Sequence, residues 1–356
     1  MKQINIFLGG YLNATNAQNL NCRSIAQHID KEKFKVSGLE IYSGDLKSLS
    51  NSEVDTFMCK YPHRLSRYLG FFWGIIKCDI AYLPKNDCYL WNRFWLKLLR
   101  KKSFCTIETI IDDEVMEKLA SPPERRDSFF KRYNIEENLY SITSYMKSYN
   151  FKRHSVKTKE KILFLGTDAN IFLNERKCIR ELKSIIFIGN DLIRKGIFDY
   201  LKLALINPDL TFHVVGTGNG QIDLKSKINE LKATNIVYHG GLPHEQLVPL
   251  LKNIDLHILP SRSEGFPKVT LETAAAGVPS LVYSDYGAEE WIEHYKNGFV
   301  VNTFDEMSDI IRDLCNSLKL LKRTSLNATD LARQFDWKVL IKDWENEILS
   351  ICAGKK

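Results

Sequence analysis

The stretch DLHILPSRSEGFPKVTLETAAAGVPSLVY, residues 255–283, constrains the fold of this chain more than any other. It is entered through an apolar run over 254–260, short enough to be a buried strand. The polar turn Ser261-Arg262-Ser263-Glu264-Gly265 follows. Pro267 suits a first helical turn, where its missing N–H costs nothing. Val269, Leu271, Ala274, Ala275 and Ala276 carry the helix to Gly277, a natural helix stop. Val278-Pro279 then opens a second buried run, Leu281-Val282-Tyr283. Strand, acidic turn, helix and strand make one unit of a parallel α/β sheet.

In a doubly wound sheet, ligands bind just outside the carboxyl ends of the strands. Glu264 lies in the turn at such an end, and Glu272 lies inside the following helix. The backbone N–H groups of Gly265, Phe266 and Lys268, where Pro267 opens the helix, can hold an anion. Two carboxylates beside them can accept hydrogen bonds from hydroxyls. This combination suits a ligand with phosphates at its middle and hydroxylated rings at both ends, as in a nucleotide sugar.

The run SRSEGFPKVTLETAAAGVP resembles the Glu-x7-Glu signature of glycosyltransferase family 4, the large retaining GT-B family. The resemblance implies two Rossmann-like, doubly wound domains facing a cleft, with a C-terminal helix crossing back onto the first. It implies a donor-binding role for Glu264 toward sugar hydroxyls and for Glu272 toward ribose hydroxyls. It also implies that no metal is needed, and the absence of a D-x-D motif agrees with that.

At 356 residues the chain is long enough for two domains with full cores. The eight cysteines are scattered, without C-x-x-C or zinc spacing, and are expected to be reduced thiols of a cytoplasmic protein. The amino terminus shows no signal-peptide pattern, and no apolar run is long enough to span a bilayer. A net charge of +7 suggests acidic partners.

Residues 4–10, INIFLGG, predict a strand ending in Gly9-Gly10, before a helix capped by Thr15 or Asn16. By resemblance this loop borders the donor. Strands are expected over 34–42, 54–59, 80–83 and 103–108, and helices over 63–77 and 88–101. The stretch 60–104 interleaves aromatics with many cations and has only Asp79 and Asp87 as acids. It fits two readings: an anionic membrane interface, or core-facing helices with solvated cationic faces. Nucleic acid is not expected, for want of a binding motif. Glu108 ends its strand and is either an acceptor-side residue or a helix-capping or surface acid. Asp112 and Asp113 are adjacent, so they point apart and do not make a metal site. Further strands are expected over 139–145 and 161–165, and an interdomain linker over 173–183.

The second half opens with a strand at 184–189 and the run NDLIRKG. It resembles the family's strand–G-R…K-G–helix stretch, in which an Arg and a Lys bind the donor diphosphate. Lys195 takes the lysine position; Asn190 stands where the family has Arg, and Arg194 is the candidate replacement. Gly216 and Gly218 are alone only a weak dinucleotide-like signal, and by resemblance lie near the donor nucleotide. Helices are expected over 304–322, 327–334 and 337–352.

The reading is an α/β GT-B protein with an acceptor-side domain over 1–175, a nucleotide-sugar domain over 184–335 and a closing helix over 336–356. Its implied activity is transfer of a hexose or N-acetylhexosamine from a nucleotide sugar, UDP favoured, to a glycan or lipid-linked acceptor. Anomeric configuration would be retained, in the service of cell-surface polysaccharide synthesis. A non-catalytic sugar- or lipid-binding subunit and a nucleotide-sugar epimerase are the alternatives.

Overall fold

The computed structural model describes residues 3–42, 54–84, 88–119, 124–173 and 179–354. The chain divides into two compact units, Met1–Gly166 with Trp337–Lys356, and Thr167–Asp336. The first unit thus ends before the expected boundary at 175. Residues 174–178 of the expected linker lie outside the described residues.

The first unit runs β1 (Ile4–Tyr11), α1 (Ala17–His28), β2 (Phe34–Ile41), β3 (Val54–Cys59), α2 (His63–Lys77), β4 (Ile80–Tyr82), α3 (Tyr89–Leu98), β5 (Lys102–Ile107), α4 (Asp113–Leu119), α5 (Glu124–Asn134), β6 (Leu139–Ser141) and α6 (Ser144–His154). Its sheet has the order β3-β2-β1-β4-β5-β6, and every pairing is parallel. The central strands are near-continuous apolar runs because both faces are covered; Ile6, Phe7, Leu8, Ile80 and Ala81 are fully buried. Of the two candidate caps on α1, Asn16 is the one used, its Oδ1 accepting from Asn19 N at 3.0 Å.

Several expectations need correction here. The run LYSITSY is not one strand. Thr143 Oγ1 accepts from Met146 N at 3.1 Å and starts α6, so a cap overrides the β-branched composition. Residues 161–165 form only a bridge, Ser141 to Ile162. Helix α3 stops at Leu98 because Arg100 turns left-handed (φ 51°) and Lys101 N returns to Leu96 O at 2.8 Å. Gly9 and Gly10 lie inside β1, not in a loop after it.

The second unit runs α7 (Ala169–Phe172), β7 (Ser184–Ile188), α8 (Ile197–Ile206), β8 (Thr211–Val215), α9 (Leu224–Glu230), β9 (Ile236–Gly240), α10 (His244–Leu251), β10 (Leu256–Leu259), α11 (Lys268–Ala275), β11 (Ser280–Tyr283), β12 (Phe299–Val301), α12 (Phe304–Asn316) and α13 (Leu318–Gln334). Its parallel sheet has the order β12-β11-β10-β7-β8-β9. Counted from its own first strand, this repeats the order of the first sheet. Both sheets therefore reverse direction of winding beside their first strand, between β1 and β4 and between β7 and β10. The expected gap between the helices at 304–322 and 327–334 is absent. The break falls at Ser317, whose hydroxyl accepts from Leu320 N at 3.3 Å and caps α13.

The last helix, α14 (Trp337–Ala353), belongs to the first unit. Trp344 is buried there, donates Nε1–H to Phe164 O at 3.0 Å, and sets its ring against Tyr82 and Phe104. Glu345 Oε1 accepts from Asp30 N at 2.8 Å.

Candidate active site

The switch point of the second sheet gathers two loops, β7 to α8 and β10 to α11. Gly196 makes their approach possible. It has φ 83°, and a Cβ there would stand 1.9 Å from Pro260 O. Only glycine tolerates both the left-handed backbone and that contact. Helix α8 starts immediately after it, so Arg194 and Lys195 sit at the head of that helix.

Both cations point at Glu264. Lys195 Nζ donates to Glu264 Oε1 at 2.8 Å, and Arg194 Nη1 lies 3.4 Å from the same oxygen. Arg194 also donates from Nη1 to Ser263 O at 2.6 Å and from Nε to Asp191 Oδ2 at 3.2 Å. Burial works against the guanidinium charge, but Glu264 and Asp191 outweigh it and keep the pKa of Arg194 above its ordinary value. Glu264 is only 8% exposed. Its Oε2 has no hydrogen-bond partner among the described residues, so one oxygen fixes the cations and the other is open to a donor group.

Glu272 is half-buried one helical stretch away. Burial raises its carboxyl above the usual range, against the pull of His244, Lys268 and Lys195. Pro267 takes the cap position just before α11 instead of the first turn; its carbonyl accepts from Thr270 N at 2.9 Å and Thr270 Oγ1 at 2.8 Å. Phe266 packs on Trp291 and Phe335, with ring centroids at 4.8 and 5.9 Å, so its side chain is structural. Gly265 and Lys268 flank this cap.

Asn190 Oδ1 accepts from Thr217 N at 3.2 Å, which ties the end of β7 to the Gly216–Gly218 loop after β8. Gly216 has φ 151° and lies so close to Gly189 O that a Cβ would stand 1.9 Å away. Arg194, Lys195, Asn190, Gly216, Gly218, Glu264 and Glu272 are thus all carried by the second unit.

Gly9, Gly10 and Glu108 belong to the first unit. A Cβ on Gly10 would meet Cys22 Sγ at 2.8 Å, so the bare backbone there serves packing of α1. Glu108 follows β5 and is held on both oxygens. Oε1 accepts from Thr106 Oγ1 at 2.9 Å and Tyr82 Oη at 3.3 Å, and Oε2 from Asn21 Nδ2 at 3.0 Å. Asp112 is a helix cap, accepting from Val115 N at 2.9 Å.

Two residues escaped the sequence reading. Asp191 orients Arg194, and its i, i+3 spacing was the available signal. His257, fully buried in β10, bonds Ser280 Oγ through Nδ1 at 2.9 Å while Nε2 has no partner among the described residues. Nothing in the local sequence distinguishes it from a core strand residue.

Two Rossmann-ordered sheets with this architecture define the fold of the GT-B glycosyltransferases. Residues 174–331 match the family described as "Glycosyl transferases group 1", a match that falls within the second unit. Among curated relatives, an uncharacterized glycosyltransferase of Haemophilus influenzae is 28% identical over 186 residues, 49% of this chain and 52% of that protein. The matches span about half the length of such relatives. Sucrose-phosphate synthase of Thermosynechococcus elongatus superposes with a TM-score of 0.80 at 13% identity, covering 99% of this chain and all of that one (100%). Anabaena HepE, solved in complex with UDP and glucose, superposes with a TM-score of 0.79 at 16% identity, covering 98% and 100%.

Proposed function

We propose that this protein is a retaining family 4 glycosyltransferase that moves a hexosyl or N-acetylhexosaminyl group from a UDP-sugar to a glycan or lipid-linked acceptor in cell-surface polysaccharide synthesis. The observation that carries the reading is the convergence of Lys195 and Arg194 on Glu264 at the switch point of the group 1 domain. The UDP complex of a fold neighbour supports the choice of donor.

In this reading Lys195 and Arg194 face the diphosphate. Negative charge grows on it as the glycosidic bond breaks, and donors already fixed in place lower the barrier without reorganising. Glu264 holds both cations through Oε1 and accepts a sugar hydroxyl on Oε2. Glu272 accepts from the ribose hydroxyls. With two cations supplied by the chain, the leaving group needs no metal, and the leaving phosphate takes the acceptor proton on the same face, which retains configuration.

The test is UDP release from a panel of UDP-hexoses and UDP-N-acetylhexosamines, with and without EDTA, followed by determination of the product anomer. Turnover insensitive to EDTA with a product of unchanged anomeric configuration supports the reading. Inversion, or isomerisation of the donor without an acceptor, rejects it.

A further inference from the structure

Helices α2 and α3 carry apolar side chains on the wrong side for a core. Leu65, Leu69 and Ile76 on α2, and Leu90, Phe94 and Leu98 on α3, are each between 47% and 66% exposed. The spacing i, i+4, i+8 on α3 puts its three on one stripe. Beneath the stripes the helices are locked together by aromatics. Phe72 meets Trp95 with centroids at 4.3 Å, and Tyr68 meets Trp91 at 5.5 Å, while Trp91 Nε1 donates to Tyr68 O at 3.2 Å. The pair is therefore a rigid platform presenting its apolar face outward.

Cations border the α3 stripe. Arg93 and Lys97 flank it and continue into a groove of about 1370 Å³, lined also by Arg100, Lys101 and Lys159. The acids of that groove are engaged. Glu136 is lifted above the usual carboxyl range by burial and accepts from Ser103 Oγ at 3.0 Å. Glu137 pairs with Arg93 at 3.4 Å, and Glu347 accepts from Tyr140 Oη at 2.8 Å. Lys102 holds the end of α14, donating to Ile351 O at 2.6 Å and Gly354 O at 2.7 Å. Among the described residues Lys97, Arg100 and Lys101 form no ion pair. Asp79, the one described acid within 60–104, turns inward and accepts from Asn5 N at 2.8 Å. Among the described residues no helix is long and apolar enough to cross a membrane, so this face can lie on a bilayer but not through it.

Outward Leu and Phe on a helix pair, edged by Lys97, Arg100 and Lys101, complement a surface that is apolar inside and anionic at its rim. We propose that α2 and α3 lie on an anionic phospholipid bilayer, with the Leu90–Phe94–Leu98 stripe entering the interface and the adjoining basic groove taking a lipid phosphate. This surface is independent of the donor site and needs no turnover to act.

The test is flotation of the full chain with vesicles of phosphatidylcholine, with and without phosphatidylglycerol, at low and high salt. The wild type floats with the phosphatidylglycerol vesicles, and less at high salt. Phe94→Glu with Leu98→Glu abolishes flotation, and Lys97→Ala with Lys101→Ala weakens it by roughly tenfold or more, both with unchanged melting temperature. Failure of the wild type to float, or flotation equal for all variants, overturns the proposal. So does self-association of the chain, lost in the Phe94→Glu protein, without vesicle binding. Binding of free inorganic phosphate in the groove without vesicle binding overturns it too, as a soluble-anion site. Loss of sugar transfer alone, with flotation intact, would reject the transferase reading and leave this one standing.

Discussion

Lys195 Nζ and Glu264 Oε1, 69 residues apart in sequence, meet at 2.8 Å where the second sheet reverses its winding. The lysine is 15% and the glutamate 8% exposed, so the pair is largely out of water and its geometry is fixed before any ligand arrives. Removing either partner should therefore cost stability as well as chemistry, because the charge left behind stays largely out of water.

Lys195→Ala is expected to lower kcat by about 10²–10³-fold, the cost of losing one preorganised charge donor. Glu264→Ala does the same and frees both cations to move, with a stability loss of about 1–3 kcal/mol. UDP release and circular dichroism check the two halves separately. A variant with wild-type turnover contradicts the assigned site.

Much of this site was legible in sequence because it is built from loops of consecutive residues. The turn 261–267 and the helix after it read directly, as did α2 over 63–77, where apolar periodicity and chain breaks agree. The direction of Arg194 was not legible. It depends on Ser263 O and Glu264, which come from the loop after another strand, β10. The strand expected over 139–145 forms only as far as Ser141 for a local reason, a threonine acting as a cap, and the one expected over 161–165 is reduced to a bridge because, among the described residues, pairing does not extend beyond Ile162. Glu108 does stand at a strand end, but Tyr82, Thr106 and Asn21, which bond its carboxylate, come from β4, β5 and α1 and are invisible in sequence.

Glu272→Ala should weaken UDP binding by about tenfold, as expected for one hydrogen bond to a charged acceptor. Calorimetric titration of UDP reads this directly. UMP should lose affinity by the same factor, because the ribose is common to both. An unchanged affinity places the ribose elsewhere.

Gly196→Ala should destabilise the fold by about 2 kcal/mol or more, since a strained left-handed residue alone costs 1–3. The added Cβ also collides with Pro260 O. Thermal melting tests this; an unchanged midpoint would mean that the two loops are not in close contact.

His257 has its pKa lowered to about 3 by burial, with Lys195 adding to the effect. A histidine held neutral in the fold charges more readily when unfolded. Its contribution is therefore fully present above the ordinary pKa of about 6.5 and is lost as pH falls toward the folded value. Chemical denaturation from pH 7 to pH 4 should show a loss of about 3 kcal/mol attributable to this group. His257→Asn should flatten that part of the curve. An equally steep curve in the variant assigns the acid sensitivity to other groups.

Whether Arg194 and Lys195 hold the donor diphosphate is read by calorimetric titration of UDP into the wild type and into the Arg194→Ala, Lys195→Ala double variant, each with EDTA present. The wild type should bind UDP in EDTA, and the variant should lose about 100-fold or more in affinity, two charge-assisted contacts having gone. Equal affinity in the two proteins, or no binding to either, would contradict that role.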